Sequence, residues 1–135
     1  MDAATLQASL ETIAAGYVRQ LALKVESVDE AAVTLTMPVT AELVHGGGVL
    51  CGQAMLAAAD TAMLLAMIAA LGSFKPMTTV QLQTSFLRPV AREVDTVRVV
   101  ARVLRLGKSL SYGGVDFETP DGKLVAQATT TYALI

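Results

Sequence analysis

The sequence predicts a single α+β domain over residues 1–135, in which a curved antiparallel sheet of five to six strands wraps around one long central helix. A further helix is predicted at the N-terminus. The stretch from Val49 to Gly72 is apolar on nearly every side, and a helix of this kind is normally buried all round. Every segment after Pro76 alternates as strands do, with short turns between the segments. A sheet curled around the helix is the arrangement that buries it on most sides.

Within the first forty residues the spacing of apolar side chains changes once, from a helical period to a strand period. Residues 3–17 place apolar side chains at three- and four-residue spacings, which predicts an amphipathic helix whose end Gly16 marks. Apolar side chains then recur within two strand-like segments, residues 23–28 and 33–39. Pro38 predicts that the second strand lies near a sheet edge or is ending there.

The central helix contains one ionisable residue. Ala, Leu and Met, all strong helix formers, fill the helix, and Gly72 suits its C-terminal cap. Asp60 lies in the middle, where a carboxylate is costly unless it is paired, hydrogen-bonded or directed into a wet cleft. Asp60 is therefore either an ordinary buried carboxylate or a functional one. The stretch is nearly long enough to span a bilayer, but the central Asp60 and Thr61 argue against that, and no membrane association is expected.

The second half of the chain reads as an antiparallel sheet. Alternating apolar residues predict strands near residues 80–87, 97–103, 110–118 and 124–134. Asp121-Gly122 is a strong signal for a tight hairpin between the last two.

Composition excludes several classes of function. Hydrophobic residues make up 53% of the chain and charged residues 16%, which predicts that another subunit covers part of the apolar surface. The net charge of −2 argues against a general nucleic-acid binder. One Cys and one His form neither an internal disulfide nor a structural zinc site, so no metal is predicted. The first residues carry no export signal, and a cytoplasmic protein is expected.

The stretch CGQAMLAAADTAM and the later strand TTVQLQTSFLRPV resemble the hotdog-fold acyl-CoA thioesterases, specifically the phenylacetate-degradation (PaaI-like) type. That family shows His-Gly-Gly, six further residues and then Ala-Asp-Thr-Ala on the central helix. The resemblance assigns Asp60 as the catalytic acid and the Gly52 amide as an oxyanion donor. It implies hydrolysis of an aryl or medium-chain acyl-CoA to free acid and CoA without a cofactor.

Four positions are compared with the family's supporting residues, and Cys51 and His45 are its altered supporting side chains. Cys51 stands where the family has His, Gln53 replaces its second glycine, His45 replaces an Asn, and Thr79 occupies a Ser or Thr position on a strand. Cys51 is either a small space-filler or a thiol activated by the helix N-terminus. His45 either positions water or the acyl group or has no catalytic part. Thr79 either bonds the catalytic carboxylate or does nothing.

Helix geometry adds a prediction about assembly. Gly52 and Asp60 are eight residues apart, roughly 12 Å along a helix. One carbonyl group cannot contact both, so we expect the two groups to come from different copies in a homodimer, which pairs further into a homotetramer. Cationic side chains should line the entry for the CoA phosphates, and the candidates are Arg88, Arg105 and Lys108.

Three other functions compete with thioester hydrolysis. A hydratase or dehydratase of the same fold would carry a catalytic His, which this chain lacks in the corresponding region. A non-catalytic acyl-CoA-binding protein would follow if the changes at Cys51 and His45 had abolished activity. A purely structural oligomer is the third.

Overall fold

A computed structural model describes residues 1–30 and 32–135, and it contains three helices and six strands. The helices are α1 (Ala3–Ile13), α2 (Gly16–Arg19) and α3 (Gly52–Leu71), with a short 3₁₀ turn at Ala41–Leu43. The strands are β1 (Lys24–Val28), β2 (Val33–Pro38), β3 (Met77–Phe86), β4 (Thr96–Arg105), β5 (Leu110–Glu118) and β6 (Leu124–Leu134).

The six strands form one antiparallel sheet in the order β1-β2-β4-β5-β6-β3. Helix α3 packs against its inner face, and buried side chains cover most of the helix, whereas the face with Asp60 and Leu64 is only partly buried. The fold predicted from the sequence, a curved sheet around a long helix with an N-terminal helix, is confirmed. By length and composition α3 could also cross a membrane, but 61% of its apolar window is buried inside this fold.

Two glycines determine where α3 ends and how closely it packs on the sheet. Gly72 caps the C-terminus with φ 82°, a left-handed conformation that glycine adopts without strain. Gly113 on β5 lets the helix approach the sheet. A Cβ at that position would overlap the Met63 side chain and lie 2.6 Å from the Arg102 carbonyl oxygen.

The N-terminal helix differs from the prediction. It ends at Ile13, because Ala14 and Ala15 take extended backbone angles, and Gly16 begins the short helix α2 instead of ending α1. Alanine is a good helix former, so the break has no local sequence signal. It turns the chain so that Ile13 and Val18 line the same cavity.

Two strand predictions are also refined. Pro38 is the last residue of β2, which lies between β1 and β4 and is not an edge strand. In β3 an irregularity between Thr79 and Gln81 interrupts the alternation, and Val80 is left 58% exposed.

The two edges of the sheet are treated differently. At the β1 edge the Gln7 side chain of α1 donates to the Leu23 carbonyl oxygen (3.2 Å) and accepts from the Val25 N–H (2.7 Å). These bonds occupy backbone groups that would otherwise invite another strand. The other edge is β3, ten residues long, on which Val80 and Phe86 are exposed.

Candidate functional site

Asp60 lies in the third turn of α3, where two hydroxyl groups hold its carboxylate. The Thr79 hydroxyl donates to Oδ1 at 2.6 Å. The Tyr132 hydroxyl lies 2.6 Å from the same oxygen and 2.6 Å from the Asp60 backbone carbonyl oxygen. These donors offset part of the cost of keeping a carboxylate within an apolar helix.

The pairing of β3 with β6 brings the two hydroxyls together. Thr79 and Tyr132 are direct partners in the strand register, so their side chains lie side by side on the same face of the sheet. The alternation of β6 buries Ala128, Thr130 and Tyr132 toward α3. The anchor of Asp60 is thus a cross-strand pair.

Tyr132 is only 4% exposed. Burial and the hydrogen bond to the Asp60 carboxylate raise the pKa of the Tyr132 phenol well above its ordinary value. The phenol therefore keeps its proton and acts as a donor to Asp60.

A cavity of about 170 Å³ opens beside Asp60 and Tyr132, between the N-terminal helices and α3. Its walls are mainly apolar and include Ile13, Ala14 and Val18. An apolar space with one carboxylate at its side suits an apolar group whose reactive end is presented to that carboxylate.

A second cavity, of about 320 Å³, lies at the N-terminus of α3. Gly52, His45 and Arg88 all line it, together with the ring of Phe86. Gly52 is the first residue of the helix, where backbone N–H groups have no intrahelical partner and the helix dipole is positive. The exposed His45 ring accepts a hydrogen bond at Nδ1 from the Gly47 N–H (2.8 Å), within its own loop.

The structure does not bring Gly52 and Asp60 together within one chain. They lie on the same helix, eight residues or roughly 12 Å apart, and they line different cavities. Cavity size does not identify the site, because a larger opening, about 570 Å³, lies near the other end of α3 and is lined by Ala66 and Ala70.

The remaining sequence-predicted residues lie at two ends of the sheet. Cys51 is partly buried and precedes α3 without a side-chain capping bond, and Gln53 is exposed in the first turn. Arg88 is exposed just after β3. Arg105 and Lys108 are exposed at the turn from β4 to β5, near the beginning of β3.

No group of three or more His, Cys, Asp or Glu side chains within residues 1–30 and 32–135 could hold a metal ion.

Sequence reasoning missed Tyr132 and the wall formed by the N-terminal helices. One signal was available for Tyr132. Tyr132 continues the two-residue spacing of Ala128 and Thr130 on the buried face of a strand, where a tyrosine hydroxyl needs a hydrogen-bond partner. No sequence pattern indicated that the N-terminal helices form a cavity wall, since that wall depends on the break after Ile13.

Comparison with protein families gives a match to the thioesterase superfamily over residues 44–126, more than half of the chain. Two relatives carry provisional esterase names. One, from Thermoplasma volcanium, is 28% identical and covers 88% of this chain and 87% of its own. The other, from Thermoplasma acidophilum, is 27% identical and covers 87% of this chain and 86% of its own.

Solved structures share the fold. Thioesterase HI1161 of Haemophilus influenzae is 25% identical with a TM-score of 0.86, covering 96% of this chain and 90% of its own. The PaaI protein from the phenylacetic acid degradation operon of E. coli is 24% identical with a TM-score of 0.83, covering 98% and 93%. A mutant of thioesterase PA1618 from Pseudomonas aeruginosa is 23% identical with a TM-score of 0.87, covering 100% and 94%. The resemblance to hotdog-fold thioesterases is thereby confirmed.

Proposed function

The chain belongs to the thioesterase superfamily, and from this premise we propose that it hydrolyses acyl-CoA thioesters to the free acid and CoA. Family membership supports a thioester hydrolase in general. One observation carries the finer proposal: the only ionisable group of the central helix, Asp60, is held by two hydroxyls beside an apolar cavity. A carboxylate in that setting can act on a carbonyl carbon at the end of an apolar acyl group.

Asp60 can act as a nucleophile or as a general base, and each route uses one water molecule to convert the thioester to the free acid and CoA. As a nucleophile, a carboxylate oxygen bonds to the carbonyl carbon, the C–S bond breaks and the CoA thiolate leaves and is protonated by solvent. Water then cleaves the mixed anhydride to give the acid. As a general base, Asp60 takes a proton from water while the water oxygen bonds to the carbonyl carbon, and it returns that proton to the departing sulfur.

The acyl group is proposed to occupy the cavity beside Asp60. An apolar protein cavity of about 150 Å³ accepts a benzene molecule, and the cavity here is about 170 Å³. That size supports a single aromatic ring or a medium-length acyl chain as the substrate's apolar part.

The oxyanion donor is proposed to come from a second copy of the chain. The Gly52 amide is the first donor of α3 and is suited to stabilise negative charge on the carbonyl oxygen. Its separation from Asp60, roughly 12 Å, is too large for one carbonyl group to contact both. A homodimer with two equivalent sites satisfies the chemistry.

The β3 edge supports this dimer. In the part of the chain that the structure describes, no strand pairs with the outer side of β3, whereas Gln7 occupies backbone groups at the β1 edge. Antiparallel pairing of β3 with the same strand of a second copy extends the sheet and covers the exposed Val80 and Phe86 side chains. Further pairing into a tetramer is supported by the exposed apolar side chains Leu104, Leu110 and Tyr112 on the outer face of the sheet.

The same pairing would gather the cationic candidates for the CoA phosphates. Within one chain, Arg88 lies beyond the end of β3, whereas Arg105 and Lys108 lie near its beginning. A two-fold axis perpendicular to β3 makes the two copies of the strand antiparallel and places the end of one strand beside the beginning of the other. Arg88 of one copy is then proposed to share an entry with Arg105 and Lys108 of the second, with Gln53 and His45 nearby.

Thiol release over a panel of acyl-CoAs tests the proposal. We expect turnover of benzoyl-, phenylacetyl- or hexanoyl-CoA by the parent protein, and a loss of about 100-fold or more for Asp60→Asn, which removes the charge and keeps the shape. Sedimentation should give the same oligomer for both proteins. Binding without turnover would contradict hydrolysis and indicate a non-catalytic acyl-CoA-binding protein.

A further inference from the structure

Both hydroxyls at Asp60 reach the same carboxylate oxygen. Thr79 and Tyr132 each approach Oδ1 at 2.6 Å, and a carboxylate oxygen has two lone-pair sites to offer. The hydrogen bonds that the described residues give to this carboxylate therefore all end on Oδ1. Oδ2 is left as the oxygen available to a ligand in the cavity that Asp60 lines.

The Tyr132 hydroxyl has two acceptors and one proton. Its oxygen lies 2.6 Å from the Asp60 backbone carbonyl oxygen as well as 2.6 Å from Oδ1. The backbone oxygen has a second lone pair besides the one used in the helix. When Asp60 loses its charge, by protonation or by acylation, the phenol can turn to the backbone oxygen and stay hydrogen-bonded. The uncharged carboxyl is a weaker acceptor than the carboxylate, so the backbone oxygen gives the buried phenol an alternative partner at that point.

We propose that Tyr132 is a positioning residue for thioester hydrolysis, which together with Thr79 fixes Asp60 by Oδ1 and presents Oδ2 to the acyl carbonyl. This inference rests on the proposed function. It goes beyond it by assigning the reacting oxygen and by adding a residue that acts through Asp60.

The test removes one hydroxyl at a time. Tyr132→Phe keeps the ring and deletes the donor. A hydrogen bond to a charged group contributes enough free energy that its loss should lower kcat about 10- to 100-fold, with KM changed by less than about twofold.

Matched variants separate positioning from packing. Tyr17→Phe makes the same chemical change on α2, where the side chain is 61% exposed, and it should leave kcat and KM unchanged. Thr79→Ser keeps the second hydroxyl and should retain activity, whereas Thr79→Val should lower kcat as Tyr132→Phe does. If Tyr132→Phe does not fold, this Thr79 pair decides the question.

The outcomes distinguish this inference from the function on which it rests. A parent protein that hydrolyses no thioester overturns both. An active parent with an unchanged kcat in Tyr132→Phe overturns only the positioning role. A further loss when Tyr132→Phe is added to Asp60→Asn also contradicts it, because a residue that acts through the carboxylate has no effect once the carboxylate is gone.

Discussion

The distance between Gly52 and Asp60 along α3 predicts that an active dimer can be rebuilt from two inactive parents. One parent carries Asp60→Asn and lacks the acid. The other carries Gly52→Pro and lacks the N–H donor. In a mixed dimer one site combines both defects and the other combines neither, because each site takes its acid from one chain and its donor from the other.

The structure indicates that proline fits at position 52. Gly52 is the first helical residue, where an N–H has no helical partner and proline is well tolerated. Cys51 already has φ −72° and ψ 147°, the extended conformation favoured before a proline. An added Cβ would lie 3.2 Å from the ring of Phe86, a half-exposed side chain that can shift by a few tenths of an ångström.

The expected magnitudes make the assay decisive. Loss of an oxyanion donor lowers kcat by about 100- to 1,000-fold, and Asp60→Asn should cost a similar factor, so both parents give a low background. Each mixed dimer should recover about half of the activity of the parent dimer. Random reassortment of equal amounts makes about half of the dimers mixed, so the mixture should reach about a quarter.

Two tags with sequential affinity steps isolate the mixed dimer, and native mass spectrometry verifies its composition. Gly52→Ala is the matched control, since it adds the same Cβ beside Phe86 and keeps the N–H, and it should retain most activity. Verified mixed dimers that stay as inactive as their parents would refute the reasoning. Acid and donor would then act within one chain, or the donor would be another group.

Three further predictions test other parts of the molecule. Cys51→Ala should keep most of the activity, because the proposed donor is the adjacent amide; an acyl group trapped on Cys51 in mass spectrometry, with full loss of turnover, would assign the thiol as nucleophile instead. Ala14→Phe should fill the acyl cavity and lower kcat/KM for aryl-CoAs by about tenfold or more while acetyl-CoA is affected less; equal losses for both would contradict the assignment of the cavity. Gly113→Ala should lower the free energy of unfolding in urea by about 1–3 kcal/mol, since its Cβ would lie 2.6 Å from a backbone carbonyl oxygen, whereas Gly114→Ala, whose nearest atom would be 3.7 Å away, should cost far less.

The parts of the fold that were predictable are those coded by local patterns. The buried helix, its Gly72 cap and the antiparallel character of the later strands follow from periodicity and turn residues, whereas the position of β3 beside β6 does not. The end of α1 at Ile13 was not predictable, because alanines carry no stop signal and tertiary packing sets the break. At the site, Asp60 was conspicuous as a lone charge in an apolar helix. Tyr132, 72 residues away, is assigned only by the register of β3 with β6.

The edge strand links the site to the assembly. β3 supplies Thr79, which anchors Asp60, and it also presents the edge proposed to pair with a second copy. A substitution that blocks this edge would therefore be expected to weaken the anchor and the dimer together, and its loss of activity would not tell the two effects apart. Gly52→Pro and Asp60→Asn change groups on α3 and keep the backbone of the β3 edge. Both positions nevertheless contact β3, position 52 through Phe86 and Asp60 through Thr79. Sedimentation of both parents as dimers therefore has to accompany the assay, and recovery of activity in verified mixed dimers then reports on the sharing of groups between chains.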